Sequence, residues 1–182
     1  MHESVHAFVQ QNVKKDIIEG KDVIELGSLN INGSVRNYIL SLKPKSYVGV
    51  DYQKGNGVDV VHDIHNIFDI YKEEQFDVVI ATEMMEHIEQ WKVVINNIKK
   101  LVKMGGYIII TTRSKGFPLH GYPYDYWRYE ISDMQKIFSD FEGQVERDPQ
   151  VDGVFVIAQK TTKEYVDLTD IKLYNINSNN YE

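Results

Sequence analysis

Short apolar segments alternate along this chain with segments whose apolar residues recur at every third or fourth position. The apolar segments are DVIEL from Asp22, SYVGVD from Ser46, VDVVHDI from Val58, FDVVIAT from Phe76 and GGYIIITTR from Gly105. Strands that alternate with helices pair in parallel through right-handed crossovers, because the intervening helix packs back onto the sheet only in that hand. The alternation therefore predicts an α/β fold with a doubly wound, mostly parallel sheet and helices on both faces.

The two ends of the chain add to this pattern. Apolar residues at helical spacing run from Val5 to Ile18 ahead of Gly20, which predicts one helix within residues 1–20. Two late segments, GQVER and GVFVIAQK, are separated by turn residues and predict a final pair with one antiparallel strand at the edge of the sheet. Residues 161–182 are polar and rich in asparagine. We therefore predict a single domain over residues 1–160, followed by a polar tail or edge addition.

The composition opposes several classes of partner and site. The chain of 182 residues carries a formal charge of -7, whereas a nucleic-acid binder needs a basic face, so no nucleic acid is expected. It has no cysteine, which excludes disulfides and thiolate metal sites and is consistent with a reducing cytoplasm, the expected location. No apolar run approaches the roughly 18 residues of a membrane span, so no membrane is predicted as a partner. The sequence is also compatible with a homodimer.

The loop after the first predicted strand, ELGSLNINGS, does not follow the pattern of a dinucleotide site. Such a site has G-x-G-x-x-G, so that bare backbone reaches a pyrophosphate, but here Leu29 and Asn32 follow Gly27 in place of the later glycines. Glu25 at the end of the strand offers a carboxylate to a ligand with hydrogen-bond donors or positive charge. Gly27 allows the backbone to run close beside that ligand.

Two further acids end the next two predicted strands. Asp51 is placed to accept hydrogen bonds from two ribose hydroxyls, and Asp63 to accept one from an adenine amino group. Carboxylates on three neighbouring strand ends, without a phosphate-binding glycine loop, fit a positively charged nucleoside such as S-adenosylmethionine. His62 and His65 flank Asp63, but this spacing provides no fourth ligand nearby, and solvated or capping histidines are the commoner arrangement. No metal site is predicted.

Five segments of the chain carry a resemblance to a known family. In order they are VIELGSLNINGSVR, YVGVDYQKGNGVDVVHDI, FDVVIATEMMEHIEQW, MGGYIIITTR and HGYPYDYWRYE. Together they resemble class I S-adenosylmethionine-dependent methyltransferases, especially a bacterial group with an E-x-G-S-x-x-x-N-G-S first loop and a P-x-D-Y-W-R segment. The chain departs from the wider superfamily at Leu29 and Ile31, where glycines are common.

The resemblance implies a seven-stranded Rossmann-like sheet and S-adenosylmethionine as methyl donor. By the same likeness Glu25 and Gly27 line the methionine end, Asp51 holds the ribose, and Asp63 with Ile64 borders adenine. The complete set of expected cofactor-binding residues is Glu25, Gly27, Ser28, Asp51, Tyr52, Asp63, Ile64 and Glu83. The resemblance does not identify the methyl acceptor.

The loops after the fourth and fifth predicted strands contain the candidate catalytic groups. The polar candidates after the fourth strand are Glu83, Glu86 and His87. His87 is a candidate general base, because an unperturbed imidazole titrates at about 6.5, although it could equally cap or pack the next helix. The fifth strand is followed by HGYPYDYWRYE, in which His120 and Asp125 are further catalytic candidates. The expected substrate-binding residues are Tyr122, Tyr124, Trp127 and Arg128. A packed aromatic corner is the alternative, since aromatic rings dominate core burial.

Three functions are compatible with this pattern. The first is an S-adenosylmethionine-dependent methyltransferase that acts on a small or saccharide-like acceptor, with a hydroxyl slightly preferred because candidate bases are present. The second is a catalytically silent relative that serves as a binding or scaffold protein. The third, a nicotinamide-dependent oxidoreductase, is opposed by the incomplete glycine pattern.

Overall fold

The chain forms a layered α/β structure, seen in a computed structural model that describes residues 2–121 and 124–182. Its strands are β1 (Asp22–Leu26), β2 (Ser46–Asp51), β3 (Val60–Val61), β4 (Phe76–Thr82), β5 (Val102–Arg113), β6 (Trp127–Arg128), β7 (Phe141–Arg147), β8 (Gly153–Lys160), β9 (Tyr174–Asn175) and β10 (Asn180–Tyr181). Its α-helices are α1 (Glu3–Asn12), α2 (Lys15–Ile18), α3 (Arg36–Ser41), α4 (Trp91–Leu101) and α5 (Ile131–Ile137). Two 3-10 helices cover Ile64–Asp69 and Met85–His87.

The main sheet confirms the predicted fold class. Its seven strands lie in the order β3-β2-β1-β4-β5-β8-β7. Strand β8 runs opposite to the other six. The antiparallel strand is second from the edge rather than outermost. This position follows from burial, because β8 is apolar along most of its length while β7 exposes polar residues suited to an edge. Strand order reverses between β1 and β4, where doubly wound sheets bind ligands beyond the strand ends.

Alternating residues of the central strands face two separate helical layers. On one face Ile24, Val79 and Ile110 pack with the apolar sides of α4 and α5. On the other face Val23 and Ile80 pack with residues from α1, α2 and α3. Each strand is therefore covered on both sides, which explains why its sequence is apolar throughout rather than alternating.

Two predicted elements are shorter in the structure. The N-terminal helix is interrupted at Val13, whose backbone is extended and whose carbonyl accepts a hydrogen bond from the Tyr38 hydroxyl at 2.8 Å. This bond stabilises the break between α1 and α2. The third strand is reduced to β3, because the Asp63 side chain accepts a hydrogen bond from the backbone of His65 and begins the 3-10 helix Ile64–Asp69.

The C-terminal residues add a second sheet to the aromatic segment. Strand β9 pairs with both β6 and β10, and all three strands are short and antiparallel. Leu168 and Leu173 are buried in the same core layer as α4 and α5. The Asn177 amide donates a hydrogen bond of 2.7 Å to the backbone carbonyl of Asp125. Residues 161–182 thus fix the position of the loop after β5.

Within the described residues, none of the helices combines the length and the apolar character that crossing a bilayer requires.

Candidate active site

The loop after β1 lies tightly against the loop after β4. Gly27 has a φ of 70°, and a Cβ added there would lie 2.6 Å from the side-chain Cγ of Met84. A larger residue would force the two loops apart, so the glycine is required for this close approach. Ser28 is buried, and its hydroxyl has no hydrogen-bond partner among the described residues.

Asp51 connects the loops that follow β1 and β2. Its carboxylate accepts hydrogen bonds from the backbone N–H of Leu29 at 3.1 Å and of Gln53 at 2.9 Å. A carboxylate has about four acceptor positions, so two remain for a diol such as that of ribose. The neighbouring Tyr52 side chain is 63% exposed and offers an aromatic face beside that carboxylate.

Asp63 and Ile64 lie at the end of β3. Burial alone would raise the pKa of Asp63, but hydrogen bonds from the backbone and ring of His65 outweigh it and hold the pKa below its usual value. Asp63 is therefore a charged, half-exposed helix cap whose remaining acceptor positions are open. Ile64 is buried in the core, and its backbone carbonyl accepts a hydrogen bond from Asn97.

Glu25 lies deeper in the sheet than predicted. It is 2% exposed and its carboxylate accepts a hydrogen bond from the Tyr47 hydroxyl, so it does not lie open at the strand end. Burial raises the pKa of Glu25 from 4.5 to about 7, against the opposing effects of Tyr47 and of the nearby Arg36. Glu25 thus bonds to Tyr47 of the neighbouring strand β2, and its predicted contact with the methionine end of the cofactor stays a prediction.

The raised pKa of Glu25 leads to a prediction about stability. The folded state binds the Glu25 proton more tightly than the unfolded state, so the contribution of this group is full below about pH 4.5 and is lost as pH rises through about 7. We expect Glu25→Gln to be more stable than wild type at pH 8 by on the order of 1–3 kcal/mol, and no more stable near pH 4.5. Urea unfolding at both pH values measures this difference. The exposed Glu19→Gln serves as the control, and equal stability of Glu25→Gln and wild type at pH 8 would contradict the prediction.

Glu83 directly follows β4, has a strained backbone conformation and forms an ion pair. Its φ is 55°, which is uncommon for a residue with a Cβ, and its carboxylate contacts the buried guanidinium of Arg113. Thr111 donates a hydrogen bond of 3.0 Å to the same carboxylate. Burial lowers the pKa of Arg113, and Asp148, 3.4 Å away, opposes this shift. Such strain is frequent at functional sites, where the surrounding structure stabilises it.

The two candidate histidines lie together around one buried carboxylate. The rings of His87 and His120 are edge to face with centroids 4.8 Å apart. Their Nε2 atoms lie 4.0 Å and 3.8 Å respectively from Oε1 of Glu86, which is fully buried. The other oxygen of Glu86 accepts a hydrogen bond from Thr112 at 2.8 Å. Both histidine side chains are about one third exposed, so this group is open to solvent on one side.

Asp125, predicted to be catalytic, and Arg128, predicted to bind substrate, instead form a buried ion pair with each other. The guanidinium of Arg128 donates to both carboxylate oxygens of Asp125, at 2.6 Å and 2.8 Å, and both side chains are fully buried. Arg128 also donates to the backbone carbonyls of Phe117 and Pro118. Asp125 further accepts from the backbone N–H of His120 at 2.7 Å. The hydrogen bonds of Asp125 and Arg128 with each other and with the backbone hold the loop in shape and position His120.

The aromatic residues of the predicted substrate wall have different environments. Trp127 is 8% exposed, belongs to the core and donates its indole N–H to the carbonyl of Glu89, so packing explains it. Tyr124 is 57% exposed and its carbonyl accepts a hydrogen bond from Nδ1 of His87. Tyr122 lies outside the described residues, and its predicted role stays a prediction.

Two participants of the site have no role in the prediction: Glu86 is only a polar candidate there, and Arg113 is absent. Glu86 is the centre of the histidine group, and Arg113 holds Glu83. The segment EMMEH places Glu86 beside His87, but no periodicity in the sequence indicates that the Glu86 side chain is buried. Arg113 is the last residue of β5. Its burial cannot be predicted from the segment TTR, because the carboxylates that pair with it, Glu83 and Asp148, lie elsewhere in the chain.

The groups at the switch point fit the predicted nucleoside. Asp51 and Asp63 provide open acceptor positions on neighbouring strand ends, and Tyr52 provides an exposed ring. Gly27 keeps the first loop free of a side chain at the point of closest approach. The donors and acceptors therefore suit a ribose and an uncharged base, and no pyrophosphate is needed to account for them.

Comparison with known proteins agrees with this geometry. The family described as a methyltransferase domain matches residues 1–146. A 54-residue segment is 41% identical to the mitochondrial ubiquinone biosynthesis O-methyltransferase of Dictyostelium discoideum, and the match spans 30% of this chain and 17% of that enzyme.

Two solved structures illustrate the similarity in fold. The Burkholderia thailandensis 1,6-didemethyltoxoflavin-N1-methyltransferase, with 1,6-didemethyltoxoflavin and S-adenosylhomocysteine bound, has a TM-score of 0.69 at 14% identity over 88% of this chain and 78% of that chain. An S-adenosylmethionine-dependent methyltransferase from Mesorhizobium loti has a TM-score of 0.64 at 12% identity over 86% of this chain and 98% of that chain.

The family match covers most of the chain, and the observed sheet is the doubly wound, mostly parallel sheet that the sequence predicts. The resemblance noted in the sequence is confirmed at the level of the family: the chain belongs to the methyltransferase-domain family.

Proposed function

We propose that this methyltransferase transfers the methyl group to a hydroxyl of a small or saccharide-like acceptor. The observation that carries the proposal is the pair of imidazoles of His87 and His120, each about one third exposed, in the loops after β4 and β5. A hydroxyl must lose a proton as its oxygen is methylated, and two adjacent imidazoles supply acceptors for that proton. The local match to an O-methyltransferase supports the choice of oxygen.

We assign the cofactor to the loops after β1, β2 and β3. Asp51 would hold the ribose, Asp63 and Ile64 would border the adenine, and Gly27 and Ser28 would line the methionine end. S-adenosylmethionine supplies a methyl group on a sulfonium, whose departure as a neutral thioether requires no further activation. The chain therefore contributes mainly by holding the acceptor oxygen in line with that methyl group and by excluding water.

The side chains around the histidines define the acceptor side. The ring of Phe117 lies edge to face with His120, with centroids 5.0 Å apart, and the exposed ring of Tyr124 follows the same loop. Aromatic faces combined with imidazole and carbonyl groups suit a ring that carries hydroxyls, either a sugar or a phenol. Asp125 acts on this side indirectly, because it holds His120 by its backbone N–H.

The test is an acceptor screen with S-adenosylmethionine that carries an isotopically labelled methyl group. Phenols, catechols, sugars and amines are incubated with the protein, and products that gain one labelled methyl group are identified by mass spectrometry. We expect the label on oxygen, as located by fragmentation or carbon NMR, and a reduced rate for His120→Ala with little change for the exposed Asp69→Ala. Products labelled only on nitrogen, carbon or sulfur would refute the proposal of O-methylation.

A further inference from the structure

We propose that Glu86, His87 and His120 form a binding site for a divalent transition-metal ion, of which Zn²⁺ is the best match. Among residues 2–121 and 124–182, these three form the one group of histidine and carboxylate side chains whose candidate ligand atoms all lie within 4.8 Å of one another. They come from two different loops, after β4 and after β5, so the group exists only in the folded protein.

The first support is the unsatisfied oxygen of Glu86. The Glu86 side chain is 1% exposed, and its Oε2 accepts a hydrogen bond from Thr112. Its Oε1 is buried and has no hydrogen-bond partner within the part of the chain that the structure describes. A buried carboxylate oxygen without a partner is costly, and a cation bound to it would remove that cost. The oxygen points toward the Nε2 atoms of both histidines.

The second support is the arrangement of the remaining ring nitrogens. Nδ1 of His87 is hydrogen-bonded to the backbone carbonyl of Tyr124, which only accepts, so this nitrogen carries the proton. Nδ1 of His120 lies 3.1 Å from Oδ2 of Asp125, although the angle is poor for a hydrogen bond. Both contacts favour the tautomer in which Nε2 has a free lone pair. Metal-binding histidines are oriented in this way by carbonyls and carboxylates.

The third support is the spacing of the three atoms. Oε1 of Glu86 lies 3.8 Å from Nε2 of His120 and 4.0 Å from Nε2 of His87. Ligands about 2.1 Å from a tetrahedral Zn²⁺ lie about 3.4 Å apart, so each histidine nitrogen must approach the Glu86 oxygen by roughly half an ångström, and the two nitrogens lie within 4.8 Å of each other. Rotation of two partly exposed imidazoles provides that movement. One carboxylate with two imidazoles is also a ligand set that Zn²⁺ uses in catalytic sites, where a fourth position stays open.

The open position gives the ion a role in the proposed function, on which this part of the inference rests. A hydroxyl of the acceptor bound to the ion would lose its proton more readily, because the metal lowers the pKa of a bound oxygen. With the ion bound, the two imidazoles are its ligands and no longer accept the proton, so the proton passes to solvent, and the acceptor oxygen forms a bond to the methyl carbon. The bond between that carbon and the sulfonium sulfur breaks, and its electron pair stays on sulfur. The ion is neither oxidised nor reduced.

Metal binding itself is tested without any acceptor. Untagged protein is treated with a chelator, dialysed and titrated with Zn²⁺ by calorimetry, and in parallel with Co²⁺, whose visible absorption reports tetrahedral coordination by nitrogen and oxygen. We expect one ion per chain. Loss of a group that hydrogen-bonds to a metal ligand lowers metal affinity by about 10–100-fold, and Glu86→Gln and His120→Ala, which remove a ligand itself, should each weaken binding by at least as much. His6→Ala is the matched control, since His6 lies on α1 and is not one of the three residues of this group, so the affinity should be unchanged.

The possible results separate this inference from the proposal of O-methylation. Absence of stoichiometric binding, or equal affinity of wild type and Glu86→Gln, overturns the metal site even if a hydroxyl acceptor is methylated. One bound ion that Glu86→Gln and His120→Ala both release supports the site even if every methylated product carries the label on nitrogen. If Glu86→Gln fails to fold, as judged by circular dichroism, His87→Ala and His120→Ala provide the same comparison.

Discussion

Replacing Arg128 with leucine is expected to lower the free energy of unfolding by about 3–5 kcal/mol, because it leaves the buried carboxylate of Asp125 without a counter-charge. Arg128 and Asp125 are both fully buried and share two hydrogen bonds. For a domain of this size the loss corresponds to a fall in Tm of about 6–20 °C. Thermal unfolding of Arg128→Leu beside wild type measures it.

Two variants show whether the buried charge is the cause. Arg147→Leu removes an arginine that is 57% exposed and only loosely paired, at 3.8 Å, with Glu130, and should change stability by less than about 1 kcal/mol. The double variant Asp125→Leu/Arg128→Leu removes both charges and should recover part of the loss. A single Arg128→Leu variant that is as stable as Arg147→Leu would show that the ion pair contributes nothing.

The same ion pair has a defined pH dependence. Burial alone would raise the pKa of Asp125, but Arg128 and His120 outweigh it and hold the pKa well below its usual value of 3.8. A depressed pKa in the folded state contributes stability that is present above about pH 3.8 and is lost as pH falls below it. The difference in stability between wild type and Arg128→Leu should therefore be constant near neutral pH and narrow in acid.

The second large effect concerns the cofactor. Asp51→Ala is expected to weaken binding of S-adenosylhomocysteine by about 1–3 kcal/mol, since two hydrogen bonds to a charged acceptor are lost. This corresponds to a Kd that is raised by about 5–150-fold. Calorimetric titration of wild type and variant with S-adenosylhomocysteine measures the change.

The design must separate binding from loop structure, because Asp51 also accepts hydrogen bonds from Leu29 and Gln53. Asp51→Asn keeps one acceptor oxygen and the same shape, so we expect an intermediate affinity. Asp69→Ala removes an exposed acid of the neighbouring 3-10 helix and should bind as wild type does. Wild-type affinity in Asp51→Ala would refute the assignment of Asp51 to the ribose.

The fold could be predicted from the sequence because its strands are buried on both faces. Segments such as FDVVIAT are apolar throughout and lie between helical patterns, which leaves few topologies. The break in the N-terminal helix could not be predicted, since it depends on a hydrogen bond from Tyr38 to Val13 across the fold. The turn predicts that the last two strands pair with each other, but it does not predict which of them is outermost. That order depends on which strand is more buried.

The site could be predicted only in outline. The strand ends located Asp51 and Asp63 correctly on the rim, because position along a strand determines where its last residue lies. The aromatic segment was harder to interpret. Asp125 and Arg128 have the residue types of a binding site, yet their spacing also allows them to pair with each other, and local sequence does not decide between these arrangements. The burial of Glu86 results from tertiary packing, which the local sequence does not indicate.

The segment after β5, to which we assign the acceptor, and the strands to which we assign the cofactor belong to separate sheets, since β6 pairs with β9 and not with the seven-stranded sheet. We therefore expect substitutions confined to the β6–β9 pair to leave the strand register of the seven-stranded sheet unchanged. An engineer who exchanges the acceptor loop should transfer the segment containing β9 with it, because each forms the hydrogen-bonding edge of the other.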